Sequence, residues 1–319
     1  MQERSNLLMV KHLKKYFTAN GATVHAVDDI SFSIAKGETL GLVGESGCGK
    51  STAGRTILQL LPPTAGEILY DGVSIGGLKG RPLSVYRQKM QMVFQDPYGS
   101  LNPRCRIEKA VGEAMLYHKS VKSRAECRER VAELLEMVGL RADDMNKFPH
   151  EFSGGQRQRI GIARALSVNP EFLICDEPVS ALDVSIQSQI LNLLDDLRKK
   201  MDLTMIFIAH GLNVVKHISD RIGVMYLGKI VEISPSDELF LHQYHPYTQA
   251  LLSAIPELKP GAEKKQILLS GELPSPTDPP KGCRFCTRCP YATARCREEE
   301  PQLRPASQGR EVACFYPLI

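Results

Sequence analysis

The sequence predicts an α/β fold organised around a phosphate-binding loop, and three stretches predict it. The first is Gly44-Glu45-Ser46-Gly47-Cys48-Gly49-Lys50-Ser51-Thr52, which fits the spacing Gly, four residues, Gly-Lys-Ser/Thr. The apolar, strand-like run Thr39-Leu40-Gly41-Leu42-Val43 precedes it, and residues that read as a helix, Ser51 to Leu60, follow it. The second is Phe172-Leu173-Ile174-Cys175-Asp176-Glu177. It reads as a buried central parallel strand closed by two carboxylates. The third is Thr204 to Ala209, another apolar strand, ending in His210.

Each stretch carries chemistry. Small residues let successive backbone N–H groups turn inward around an anion, and a helix N-terminus adds partial positive charge. Lys50 can reach β- and γ-phosphates, and the Ser51 hydroxyl can ligate Mg²⁺. Carboxylates at the C-terminal end of a strand lie where open α/β sheets bind ligands. Asp176 suits Mg²⁺, directly or through water, and Glu177 suits the polarisation of an attacking water. His210 can hydrogen-bond a γ-phosphate, although a histidine in such a place, taken alone, is more often structural.

The rest of the chain falls into order around these stretches. Residues 7 to 43 read as short β segments with turns, among them Leu7 to Leu13 and Ala26 to Ile34, with Lys36-Gly37-Glu38 as a turn signal. Tyr16 and Phe17 fall in a loop, where an aromatic can stack on a nucleotide base or cap the sheet. Pro62 to Leu83 is rich in Gly and Pro, with a short strand around Ile68-Leu69-Tyr70. A strand then ends at Gln95, ahead of Asp96-Pro97. Residues 106 to 148 read as helical, because Val131, Leu134, Leu135 and Val138 recur at helical spacing before Gly139. Phe152-Ser153-Gly154-Gly155-Gln156 opens a further helix, as a second anion site or as an ordinary serine cap. Ser180-Ala181-Leu182-Asp183 turns into a helix with Asp183 placed to cap it, and Ile186, Ile190, Leu194 and Leu197 mark its buried face. From Pro256 to Pro280 many Pro, Gly and charged residues mark a loop-rich extension.

Composition narrows the function classes. Lys and Arg total 40 against 36 Asp and Glu, a net charge of +4, too balanced to argue for nucleic acid. Trp is absent and aromatics make up 6%, so no base-stacking platform is advertised. No run approaches 18 consecutive apolar residues. The start at Met1 lacks a long apolar stretch, so the expectation is a cytoplasmic protein. Of nine cysteines, Cys283, Cys286, Cys289, Cys296 and Cys314 crowd near the C-terminus. In a cytosolic chain such crowding points to metal rather than disulfides.

Taken in order, phosphate loop, Gln95, Ser-Gly-Gly-Gln, Asp176-Glu177, Ser-Ala-Leu-Asp and His210 resemble the ATP-binding subunit of ABC transporters. The resemblance implies an α/β fold: a P-loop NTPase (RecA-like) core with an antiparallel β subdomain, a helical subdomain inserted at about 96–167, and a loop-rich, cysteine-containing C-terminal extension. It divides the chain into 1–245 and 246–319. It also implies that Gly44 to Thr52 bind the phosphates of ATP and that Asp176 serves Mg²⁺. Glu177 becomes the catalytic base, Gln95 the Mg²⁺-sensing residue that touches the permease, Asp183 the D-loop aspartate and His210 the switch histidine. Ser153, Gly154, Gly155 and Gln156 become the signature that faces ATP held by a head-to-tail partner. Phe17, with Tyr16 as the alternative, is the base-stacking aromatic. Phe152 stands where a leucine is usual, and Gly211 where an aspartate is common.

Three further stretches narrow the resemblance to the dipeptide/oligopeptide/nickel importer subfamily, closest to its "F"-type ATPase. They are Asp96-Pro97-Tyr98-Gly99-Ser100-Leu101-Asn102-Pro103, His245-Pro246-Tyr247-Thr248-Gln249-Ala250-Leu251-Leu252 and Gly271-Glu272-Leu273-Pro274-Ser275-Pro276. The implied role is ATP-driven peptide import, with nickel and glutathione importers sharing much of the pattern. The implied partners are a second, similar ATPase, two permease subunits, and an extracytoplasmic peptide-binding protein acting through them, with no nucleic acid. The implied place is the cytoplasmic face of the bacterial inner membrane. The subfamily pattern implies Cys283, Cys289, Cys296 and Cys314 as ligands of an iron–sulfur cluster, with Cys286 an extra thiol that could compete. The spacing Cys283-x2-Cys286-x2-Cys289 is ferredoxin-like and leans toward [4Fe–4S], with Zn²⁺ and free thiols left open.

Overall fold

The computed structural model describes residues 5–19, 21–255, 266–307 and 309–318. Residues 1–4 of the N-terminal run and 256–265 of the Pro- and Gly-rich stretch lie outside that set. The chain divides into two compact units, Met1–Gly77 with Ile208–Ile319, and Leu78–Phe207. Among the described residues no helix is long and apolar enough to cross a membrane.

The first unit holds an antiparallel four-stranded sheet. The hairpin strands Asn6–Ala19 and Ala22–Ala35 pair with each other, Ala65–Tyr70 pairs with the first of them, and Val73–Ser74 finishes the edge. Leu8, Val10 and Leu13 face inward from one strand and Ile30, Phe32 and Ile34 from the other, all buried. The alternation that announced these strands is thus their inward face.

In the same unit Thr39–Val43, buried throughout, runs parallel to Arg221–Tyr226, with Leu42 opposite Gly223. Arg221–Tyr226 turns back into Lys229–Pro235, antiparallel to it. The C-terminal extension then adds two strands that its composition did not announce. Arg310–Val312 pairs with Glu232 and Ile233, and Arg304–Ser307 pairs with Arg310–Val312. At three and four residues, one of them with Pro305, they are too short for an alternating pattern, and proline is tolerated on such an edge. The extension also carries the helix Pro246–Ser253, opened by Pro246 and capped by His245, whose Nδ1 accepts from the Tyr247 N–H at 3.1 Å.

In the second unit Met90–Val93 runs parallel to Phe172–Asp176, with Met92 opposite Ile174. Thr204–Ile208, also buried, is the next strand in order. The strand Met90–Val93 ends short of Gln95, because Asp96 starts a turn by accepting from the Tyr98 N–H at 2.8 Å. Helices Ile107–Tyr117, Arg124–Met137 and Gly154–Leu166 pack on one another. Val131, Leu134, Leu135 and Val138 are all buried, as their spacing predicts. In helix Val184–Met201, Ile190, Leu194 and Leu197 are buried. Ile186 is only half-buried and lies against Gly155.

Candidate nucleotide site

The phosphate loop follows Val43 and opens helix Lys50–Ile57 with Gly49 as its N-cap. Two of its glycines are there because nothing larger fits. A Cβ on Gly49 (φ 105°) would lie 2.0 Å from the Ala26 carbonyl oxygen, and one on Gly44 (φ 152°) would lie 2.1 Å from that of Met225. Lys50 is buried along the loop, its Nζ donating to the carbonyls of Gly44 at 2.8 Å and Glu45 at 3.0 Å. The Cys48 thiol lies 3.6 Å from the same Nζ, and burial pushes its pKa up despite that cation. The loop is also fastened from outside: the Gly228 N–H donates to the Cys48 carbonyl at 2.9 Å. Ser51 and Thr52 stand half-buried in the first helical turn.

Glu45 receives the most attention. Its N–H donates to the Tyr247 hydroxyl at 2.9 Å. Its carboxylate accepts two bonds from Arg288 Nη1, at 2.9 and 3.2 Å. Both partners belong to the C-terminal extension. Nearby, the hydroxyl of Tyr16 donates to buried Asp28, and its ring lies 4.4 Å from that of His25. Asp28 also pairs with buried Arg284 and lies within reach of Lys229 and Lys14. Burial alone would raise the Asp28 pKa, but the Tyr16 hydroxyl and the cations Lys229, Arg284 and Lys14 outweigh it and hold the carboxyl below its usual range. Phe17 is the more exposed of the two adjacent aromatics, with Lys15 Nζ 4.8 Å from its ring centre. His210 is exposed in this unit, just after strand Thr204–Ile208, and Gly211 is the N-cap of helix Leu212–Ile218.

In the second unit Asp176 and Glu177 are both buried at the end of Phe172–Asp176. Glu177 sits at φ 47°, a left-handed backbone that a non-glycine residue adopts at a cost. Its carbonyl accepts from the Ser180 N–H at 3.2 Å and hydroxyl at 3.1 Å. The Gln95 amide donates to Glu177 Oε2 at 2.7 Å, joining residues 82 apart in sequence. Ser153 caps helix Gly154–Leu166 reciprocally: its N–H donates to Gln156 Oε1 at 2.9 Å, and its Oγ accepts from the Gln156 N–H at 3.4 Å. A Cβ on Gly155 would meet Ile186 Cγ2 at 2.6 Å. Asp183 stands at the N-cap of Val184–Met201, as its position suggests, but its side chain makes no capping bond.

The five C-terminal cysteines line one cavity, which His245 and Phe285 also border. Cys286 shares the cavity with Cys283, Cys289, Cys296 and Cys314 rather than standing apart. Burial, reinforced by the neighbouring thiols Cys286, Cys314 and Cys296, pushes the Cys283 thiol up to about 12. Among the described residues no three His, Cys, Asp or Glu side chains are grouped closely enough to hold a single metal ion.

Comparison with known proteins places this geometry. Residues 27–180 match the ABC transporter family, and residues 231–296 match the C-terminal region of oligopeptide/dipeptide transporters. The oligopeptide transport ATP-binding protein AppF of Bacillus subtilis is 52% identical over 321 residues, covering 98% of this chain and 97% of that protein. The chain belongs to the ABC transporter ATP-binding proteins. OppF of the same organism, also an oligopeptide transport ATP-binding protein, is 58% identical over 262 residues, 82% of this chain and 86% of that one. Among solved structures, the dimeric ATP-binding cassette MJ0796, in a post-hydrolysis state with ADP and phosphate, matches with a TM-score of 0.66. It is 30% identical and covers 72% of this chain and 98% of that one. The family supplies the activity class, an ATPase coupled to transport, and the cassette fold with its phosphate loop.

Within this ABC ATPase, sequence reading missed the residues of the extension that reach the loop. Tyr247 and Arg288 lie 202 and 243 residues from Glu45, so no spacing rule connects them. The one available signal was the two arginines set inside a cysteine-rich loop, Arg284 and Arg288.

Proposed function

We propose that this ABC ATPase is the nucleotide-binding subunit that powers import of dipeptides or oligopeptides. What supports the reading is the union, in one compact unit, of a phosphate loop and an extension of the oligopeptide/dipeptide transporter type. The relatives' names point the same way. The proposed partners are a second, similar ATPase, two permease subunits and an extracytoplasmic peptide-binding protein. The proposed place is the cytoplasmic face of the bacterial inner membrane, and the functional division is 1–245 and 246–319.

In this reading the amides of Gly44 to Thr52 and Lys50 hold the phosphates, and Phe17 stacks on the base. Ser51 would ligate Mg²⁺ and Asp176 would serve it directly or through water, and the ion would supply neutralisation of phosphate charge. Glu177 accepts a proton from the attacking water. The Gln95 amide donates to Glu177 Oε2 and so orients the carboxylate, which has acceptor capacity for the attacking water beside it. His210 addresses the γ-phosphate, and Ser153, Gly154, Gly155 and Gln156, with Asp183, act on ATP held by the partner. The signature serine accepts from the Gln156 N–H through its Oγ, and its O–H can donate to phosphate at the same time.

The cysteine cavity supports a [4Fe–4S] cluster held by Cys283, Cys289, Cys296 and Cys314. The donor set is soft, with five thiols around one space. Four bonds of about 2.3 Å to a single Zn²⁺ would bring the sulfurs nearly into contact, and no such group is found among the described residues. A cluster would be held by soft thiolates of this kind. It would supply a covalent cross-link for a loop-rich segment. Iron and acid-labile sulfide in anaerobically purified protein test this, and their absence sinks it.

The deciding experiment for the function is transport by the reconstituted complex of labelled dipeptides, longer peptides and Ni²⁺. ATP-dependent uptake of peptide is expected. Uptake of Ni²⁺ without peptide would move the chain to another branch of the subfamily.

A further inference from the structure

The loop Cys283–Cys289 carries Arg284, Phe285 and Arg288, and each reaches toward the nucleotide site. Phe285, 1% exposed, packs against Tyr226 and Tyr247 with ring centres 5.2 and 5.4 Å away. Tyr226 ends the strand beside the phosphate-loop strand, and the Tyr247 hydroxyl accepts the Glu45 N–H. Arg284 pairs with Asp28, which also holds the Tyr16 hydroxyl. Arg288, with a side chain 11% exposed, donates from its Nη1 to both oxygens of the Glu45 carboxylate.

Glu45 is the corner at which the chain leaves the strand and enters the loop. Its carbonyl accepts from Lys50 Nζ at 3.0 Å and from the Cys48 N–H at 3.3 Å. Holding Glu45 therefore holds the carbonyl that orients Lys50. Its carboxylate also stands beside the place where a triphosphate's negative charge would gather. Unpaired, it would repel that charge, and a half-buried pair is poorly screened. Arg288 removes the repulsion and fixes the corner with one planar group.

We propose that Arg288 is a positioning residue for ATP: it pairs with Glu45 so that the phosphate loop reaches full affinity only with the cysteine-lined extension seated on it. The proposal rests on Gly44–Thr52 being the ATP loop, and the two can fail separately. ATP binding by the parent chain, measured by calorimetry with Mg²⁺ on the full-length protein, tests the loop itself. If the parent binds no ATP, the loop reading falls. If the parent binds, Arg288→Gln is expected to weaken affinity by roughly ten- to a hundredfold, the range for one charge-assisted contact. Arg288→Lys, which keeps the charge and loses the planar guanidinium, should recover part of it. Turnover at saturating ATP should stay within about twofold, the signature of a binding rather than a chemical defect.

A double-mutant cycle identifies the route. In a Glu45→Gln background the charge is already gone, so Arg288→Gln should cost far less there than in the parent. Melting temperature and cysteine-bound metal content are followed in every variant. Unchanged ATP affinity in Arg288→Gln overturns the proposal. So does an equal loss with and without Glu45, or a loss that appears only together with unfolding or loss of metal.

Discussion

The phosphate loop and the carboxylate end of Phe172–Asp176 are built by opposite means. The loop is shaped by closure against distant backbone: Gly49 against Ala26, Gly44 against Met225. Its corner is held by Tyr247 and Arg288, more than 200 residues away. The carboxylates are shaped locally. Asp176 is the last residue of a buried strand, and Glu177 takes a left-handed backbone closed by Ser180 three residues on. A long-range bond from Gln95 helps orient the Glu177 side chain. Damage to the first region should therefore appear as lost folding and affinity, and damage to the second as lost turnover on an intact protein.

The largest expected effect belongs to the second region. Glu177→Gln should lower steady-state ATP turnover by on the order of a hundred- to ten-thousandfold, the contribution of a general base. The isosteric amide leaves ATP affinity and melting temperature close to the parent's. Near-normal turnover would remove Glu177 as the base, and a large fall in melting temperature would break the contrast between the regions.

Gly49→Ala comes next and should do the reverse. The new methyl would meet the Ala26 carbonyl, which belongs to a paired strand and cannot step aside, at a φ that alanine disfavours. A loss of about 3 kcal/mol or more of stability is expected, read by denaturant unfolding, with ATP binding lost alongside. Asp28→Asn, a little weaker, should cost about 3 kcal/mol by stranding buried Arg284. Its pH dependence has a definite sign. The Asp28 pKa is lowered in the folded chain, so its contribution is complete above the ordinary carboxylate range and vanishes as pH falls through the lowered value. The stability gap between parent and Asp28→Asn should be constant from pH 7 to about 5 and close below about 4.

The same contrast explains what the sequence made legible. The phosphate loop could be recognised because its glycines, lysine and serine are contiguous. Asp176 and Glu177 stood out because a five-residue apolar strand ends on them. The antiparallel hairpin and the helical stripe of Val131 to Val138 were announced by their own periodicity. What escaped was whatever tertiary packing decides. The Gln95–Glu177 bond spans 82 residues and the Arg288–Glu45 pair 243. The edge strands Arg304–Ser307 and Arg310–Val312 are too short to show a period. Asp183 occupies the cap position without the capping bond, because position follows from sequence while side-chain direction follows from surroundings. Ile186 was read as a core residue of its helix and instead covers Gly155 from a half-buried site.

That last contact supplies the mildest and most discriminating test. Gly155→Ala would also place a methyl too close to a neighbour, 2.6 Å from Ile186 Cγ2. Here the obstacle is the Cγ2 branch of a half-buried side chain, which is stiff about χ1 but can give way by a small shift of its helix, whereas at Gly49 the obstacle is the Ala26 backbone carbonyl itself. Position 155 also lies within the first turn of helix Gly154–Leu166, where alanine recovers up to about 1 kcal/mol of helix propensity over glycine. The two terms offset, so stability should stay within about 1 kcal/mol of the parent. Because the signature is proposed to serve ATP on the partner, the isolated chain should bind ATP as the parent does, while turnover of the assembled complex falls. If Gly155→Ala instead weakened binding in the isolated chain as Gly49→Ala does, the signature would serve its own chain's nucleotide, and the division between a loop that binds and a region that turns over would fail.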